Sequence, residues 1–217
     1  LLQFLFTAYN LQKQFEDEEW KEMWVSVSGK KVKNMEAPVL SQWWHVGEGA
    51  KHLLEHWSDW KAMARTIITA NKRDTSKNEI ASWLDRYTRS LPLKAQLIFL
   101  VNYHKIFFDK HLKWLQHKDD RTGEPGFLGV YMPVHVYVMH KELNELRTNW
   151  ETRVEYEPYL EILQELPTDD DEQMMINGAM HNFAQLFFKI AIERYEKNFV
   201  QWRTANLQLM LGADDIT

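Results

Sequence analysis

Histidines and tryptophans crowd one short stretch of this chain: Trp43, Trp44 and His45, then His52, His56 and Trp57. His52 and His56 are four apart, and Glu48 lies a further turn back. If the stretch is helical, one face could offer imidazole and carboxylate ligands to a metal ion. The spacing departs from the known helical metal motifs. The residues between the two histidines are Leu53, Leu54 and Glu55, so no glutamate directly follows the first histidine, and the chain contains no Glu-x-x-His for a carboxylate-bridged pair of metals. The aromatic residues suggest different chemistry. A tryptophan beside lysine or arginine can stack on an unpaired base while the cation holds phosphate, and Trp43 and Trp44 are the candidates for that role. The cations that would accompany them are Lys30, Lys31, Lys33, Lys51, Lys61, Arg65, Lys72 and Arg73.

Other constellations fall short of an active site. Gly47-Glu48-Gly49 is preceded by no strand and lacks the third glycine of a dinucleotide loop, and Gly123 to Gly129 lacks the Lys-Ser/Thr of a phosphate loop. The acids Asp169, Asp170, Asp171 and Glu172 suit the start of a helix, where they complement its dipole. With no cysteine there is no thiolate nucleophile, disulfide or zinc-thiolate site, which fits a reducing, intracellular compartment. No residue is assigned a catalytic role and no cofactor is expected.

The net charge of −5 conceals a segregation along the chain. Between Ser26 and Lys118 there are 16 Lys/Arg against 8 Asp/Glu, and the remainder carries 10 against 23. A basic middle of this kind either meets phosphate or is matched by the acidic flanks within the fold.

The elements that must position these residues are helices. Apolar residues recur at three-to-four spacing over most of the 217 residues, with proline and glycine at intervals suited to helix ends. The expectation is an all-α, bundle-like domain of about seven to nine helices with no significant sheet. It should span 1–217 as one domain, with a sub-boundary allowed at the loop 118–128. One long helix, with a kink allowed where the acidic run Glu16 to Glu19 interrupts its pattern, is expected from Leu1 to Trp24, and a loop from Val25 to Val32. Further helices are expected from about Trp44 to Trp57, from Asp59 to Asn71 with Ser58 as cap, from the capping box Ser76-Lys77-Asn78-Glu79 to about Arg89, and from Pro92 through Phe108. The helix holding Leu97 to Val101 should be central. Beyond the loop around Gly123 come helices from Pro133 to Asn149, from Glu157, and from Thr168 or Asp169 to about Leu211, with a bend at Gly178. Leu1 to Leu11 reads as an amphipathic helix of a fragment rather than a signal peptide, and no stretch approaches membrane-spanning length.

The string Ser41-Gln42-Trp43-Trp44-His45-Val46-Gly47-Glu48, followed by an apolar helix, resembles the Arg-Trp segment that opens the helical insertion of hAT-superfamily DNA transposases. The blocks Phe107 to Gln116 and His140 to Leu143 are similar to transposase-derived sequences of the same kind, so the resemblance covers roughly Pro38 to Leu146. In that family a ribonuclease H-like core bears three catalytic carboxylates, and the insertion's tryptophan stacks on DNA near the cleaved end. The resemblance gives that role to Trp43, with Trp44 competing. Gln42 stands where the family has arginine, and none of the three carboxylates can be placed. What it implies is a DNA-binding insertion domain of a larger, nuclear protein, acting on hairpin or single-stranded ends and not cutting DNA alone. Two alternatives stay open: a helical scaffold for protein interaction or homo-oligomerisation, and a metal-binding helical-bundle enzyme built on His52 and His56.

Overall fold

The computed structural model describes residues 2–15, 17–31, 34–35, 37–38, 43–70, 75–111, 132–165, 178–180 and 182–198. Among them the fold is all-α, with nine α-helices and no strand. Two compact units are present, one formed by Leu1–His104 with Pro158–Pro167 and the other by Lys105–Glu157 with Thr168–Thr217. The loop 118–128 lies outside the described residues, as do the expected cap at Thr168 or Asp169 and the far end of the last helix.

The first unit begins with α1 (Leu2–Lys13) and α2 (Asp17–Ser28), where a single helix to Trp24 was expected. The break follows from the acidic run. Asp17 to Glu19 complement the positive end of the new helix that starts there. The amides of Gln14 and Phe15 tighten onto Leu11 and Gln12, and Phe15 is buried beside Trp20. α2 also runs through Val25 to Ser28, which was expected to be loop, and it stops at Gly29. There φ is +67°, a left-handed conformation that glycine adopts without steric cost. The amide of Gly29 donates to Val25 O at 2.9 Å, and the Ser28 hydroxyl accepts from the amide of Lys30 at 3.1 Å.

α3 (Trp43–Glu55) and α4 (Trp57–Ala70) are separated only at His56, so Ser58 lies inside the first turn of α4 rather than capping it. α5 (Thr75–Tyr87) starts one residue ahead of Ser76, and α6 (Leu91–Tyr103) is capped by Ser90, whose hydroxyl accepts from the amide of Leu93 with Pro92 in the first turn. α6 buries Leu93, Ala95, Leu97, Phe99 and Leu100 and packs against α3. It passes into a π-helical turn, His104–Phe108. α4 lies along α5, and α1 packs on α3 and α5. Pro158–Pro167 closes this unit through Tyr159, whose ring meets Phe99 edge-on at 5.3 Å.

In the second unit α7 (Met132–Asn149) buries Val136, Met139, Leu143 and Leu146, an alternating three-and-four repeat that continues to Trp150 in a short 3-10 turn. A second 3-10 turn holds Tyr156; the helix that follows, α8 (Glu157–Glu165), belongs from Pro158 onward to the first unit. A helix over 182–198, α9, contributes Ala184, Phe188, Ile192 and Tyr195 to the same core, where the Tyr195 hydroxyl donates to Val136 O and Phe188 meets Tyr156 edge-on.

Two buried glycines of α3 differ in what they tolerate. A Cβ on Gly47 would fall under 3.0 Å from three atoms of the buried His104 imidazole, whereas one on Gly49 would meet only Leu5 Cδ2 at 3.4 Å. Gly49→Ala should therefore stabilise the chain by up to about 1 kcal/mol through helix propensity. Gly47→Ala should lose about 1–3 kcal/mol to overpacking. Urea unfolding of both variants checks this, and equal stabilities would show that the His104 ring yields.

Candidate nucleic-acid interface

Trp43 and Trp44 occupy the first two positions of α3. Their side chains lie outside what is described. Position 43 is followed at three, four and seven residues by 46, 47 and 50, and position 44 by 47, 48 and 51; of these, 46, 47 and 50 are buried and 48 and 51 are exposed. Glu48, Lys51 and Glu55 are all exposed, so Lys51 stands between two acids.

The expected cations are distributed as follows. Lys30 donates to Asp59 Oδ2 at 3.2 Å, and Arg65 donates to Asp85 Oδ1 at 3.2 Å. Lys31 and Lys51 are exposed and Lys61 is half-buried, and none of the three forms an ion pair among the described residues. Lys33, Lys72 and Arg73 lie outside the described residues. The first unit as a whole contains 14 Lys/Arg and 14 Asp/Glu, because folding gathers the acids of α2 with the basic stretch that follows. Lys77, for example, reaches Glu19 at 3.6 Å and lies over the Phe15 ring.

His52 and His56 are brought together, with ring centres 4.9 Å apart, but in an aromatic setting. His52 stacks on Trp24 at 6.2 Å and His56 meets the same indole edge-on at 5.4 Å. His56 commits Nδ1 to Asp59 Oδ2 at 3.0 Å. Burial pushes the Asp59 carboxyl up, but hydrogen bonds from His56 and Lys30 outweigh it and hold the group below its ordinary value. Most tryptophans with described side chains are core: Trp20, Trp24, Trp60 and Trp150 are each at most 3% exposed.

Trp83 differs. It lies on α5 with 43% of its surface exposed, Tyr87 stacked beside it at 6.0 Å and the Arg86 guanidinium 5.6 Å from its ring centre. Nothing in the local spacing of α5 had distinguished it from the other tryptophans of the basic stretch. The signal was its position in register with exposed Glu79 and Arg86, which is legible only once the helix bounds are known.

The second unit holds a chain of titratable groups that runs from exposed Lys110 to buried His111. Lys110 Nζ donates to both Glu142 oxygens at 2.8 and 2.9 Å, and Glu142 Oε2 accepts from His111 Nε2 at 2.9 Å. His111 Nδ1 lies 3.3 Å from His135 Nε2. Because a neutral His111 gives its one proton to Glu142, Nδ1 must accept and His135 must donate. The array is linear: His111 spends both nitrogens, leaving no lone pair for a cation. Among the described residues no group of three His, Asp or Glu side chains could hold a metal ion. His140 is engaged separately, by Glu196 at 3.0 Å and by stacking on Tyr195.

Burial lowers the His111 imidazole against the opposing pull of Glu142, and burial, reinforced by His111 and Lys110, lowers His135 to about 4. Burial raises Glu142, but hydrogen bonds from Lys110 and His111 win and hold it below its ordinary value. The signs agree. A histidine whose folded value lies below its unfolded value near 6.5 penalises the fold as pH falls toward that folded value, and a depressed carboxylate loses its contribution as pH falls below about 4.5. The second unit should therefore lose stability between about pH 6.5 and 4. His135→Gln should flatten that dependence, as read by the chemical-unfolding midpoint against pH. An unchanged slope would place the acid sensitivity elsewhere.

Among the described residues no helix is long and apolar enough to cross a membrane. No protein-family model, curated protein or solved structure matches this chain.

Proposed function

We propose that this chain is a helical DNA-binding domain of the kind that hAT transposases carry as an insertion, not catalytic by itself. The observation that carries the reading is the start of α3. The resemblance requires a tryptophan where an apolar helix opens, and Trp43 is the first residue of α3, followed by Trp44. The first turn of any helix leaves amide donors without intrahelical partners, which suits a phosphate beside a stacked base. Lys31 and Lys51 add exposed positive charge in the same unit. Nuclear localisation and a larger parent protein belong to this proposal.

A second reading, a protein-interaction scaffold, draws on α7. That helix carries Val134, Tyr137 and Val138 as an exposed apolar set at i, i+3 and i+4, in addition to its buried repeat. Sedimentation analysis addresses it directly, since concentration-dependent self-association abolished by Tyr137→Glu would favour the scaffold.

For the DNA reading, anisotropy with a hairpin oligonucleotide and a blunt duplex, at two salt concentrations, is decisive. Replacing the stacking tryptophan, Trp43 or Trp44, by alanine should weaken hairpin binding about tenfold or more, since a stacked base contributes about 1–3 kcal/mol. The salt slope, which counts phosphate contacts, should stay nearly constant. If both folded variants bind as tightly as the parent, neither tryptophan stacks, and the DNA reading loses the residue that carries it.

A further inference from the structure

We infer that Trp83, backed by Tyr87 and flanked by Arg86, forms a stacking platform for an unpaired DNA base on the exposed face of α5. The inference rests on the DNA-binding reading above but concerns a different helix and different residues. Trp83 leaves 43% of its surface in solvent, in a chain that packs most of its other described indoles to near-complete burial. An indole left in water forfeits the gain that burial of so large a ring would bring, and a ligand that covers it recovers that gain.

The platform is held from behind. Tyr87 stacks beside Trp83 with ring planes 28° apart, and Tyr87 in turn packs on Phe4 at 5.4 Å, a core residue only 1% exposed. A ring anchored in this way loses little freedom on receiving a ligand, which is how a rigid aromatic contributes affinity.

Local charge selects the ligand. Arg86 makes no ion pair among the described residues, and its guanidinium lies 5.6 Å from the Trp83 ring centre. Arg65 and Arg89 share a single carboxylate, Asp85. Three guanidinium groups and one paired acid leave an excess of positive charge on this part of the unit, opposed on α5 by exposed Glu79 one turn before Trp83. A π-face beside unpaired arginine matches a nucleotide, whose base stacks while its phosphate meets the cation. A paired base inside a duplex presents no free face, so the ligand is single-stranded DNA or an unpaired end. Recognition by stacking is tolerant of sequence.

Binding of a thymidine homo-oligomer and of a blunt duplex of equal length, followed by anisotropy, tests the platform in the full chain and in Trp83→Ala, Trp83→Phe and Arg86→Gln. Because Trp83 is exposed, the alanine variant should fold as the parent does, with the phenylalanine variant as a check. Trp83→Ala should weaken single-strand binding about tenfold or more while changing duplex binding little, and Trp83→Phe should restore most of the loss. Arg86→Gln should weaken single-strand binding and make its salt dependence shallower. A parent that binds neither oligonucleotide overturns the DNA reading and this inference together. A parent that binds the single strand with affinity unchanged in Trp83→Ala overturns the inference alone. Equal losses on single strand and duplex would assign the residue to general backbone binding and reject stacking. Loss of self-association in Trp83→Ala, with DNA binding intact, would assign the face to a second copy of the chain and reject it as well.

Discussion

Three buried indoles that lean on one another govern the first unit. Trp20, Trp24 and Trp60 lie with ring centres 5.2 to 5.7 Å apart, joining α2 to α4, and His52 of α3 packs against two of them. None of the three indole N–H groups has an acceptor among the described residues. Leaving such a donor unsatisfied costs about 1–3 kcal/mol each. Burying a ring of about 150–250 Å² returns about 4–6 kcal/mol at the usual area coefficient. Packing therefore wins at every ring, but only while the rings stay in register. The constraint fixes where α3 can run, and so where Trp43 and Trp44 at its start are presented.

The same cluster determines what the nearby charges can do. Asp59 at the start of α4 takes hydrogen bonds from His56 and Lys30 at once, closing the aromatic layer where it meets solvent. Lys30 is thereby used inside the fold rather than offered to a ligand. Asp85 does the same to Arg65 and Arg89. Charge segregated along the sequence is thus partly re-paired in space, and a count along the chain overstates the positive field that a phosphate backbone would meet. The cations that matter are those outside these pairs, Arg86 beside an exposed indole among them.

The helical periodicity was legible because buried positions recur where a 3.6-residue turn requires, as in Val136, Met139, Leu143 and Leu146. Pro92 marked the start of α6 through chemistry local to a few residues, although the cap itself, Ser90, was not singled out. Helix ends set by more than local pattern were harder to read. The division between α1 and α2 depends on Phe15 finding Trp20 and on Gln12 exchanging hydrogen bonds with the backbone of Met35, which lies far along the chain. The tryptophan-rich composition pointed to a surface, yet Trp60 and its neighbours went to the core because helices distant in sequence supplied partners. The pairing of His111 with His135 and Glu142 was illegible for the same reason: their elements are separated in sequence, and no spacing rule connects them. Trp83 was visible as a residue but not as an exposed one.

These particulars change the physics that the DNA reading requires. A first unit with as many acids as bases exerts little long-range attraction, so electrostatic steering over a Debye length contributes little to encounter. Affinity in such a unit must come from short-range contacts: an indole face, a guanidinium near it, amides at a helix start. Short-range stacking discriminates unpaired from paired bases far better than it discriminates one sequence from another. Released counterions would be few, and the salt dependence correspondingly shallow. On that reading, a domain built in this way would recognise DNA ends and hairpins already brought near, and would be poorly suited to finding DNA alone.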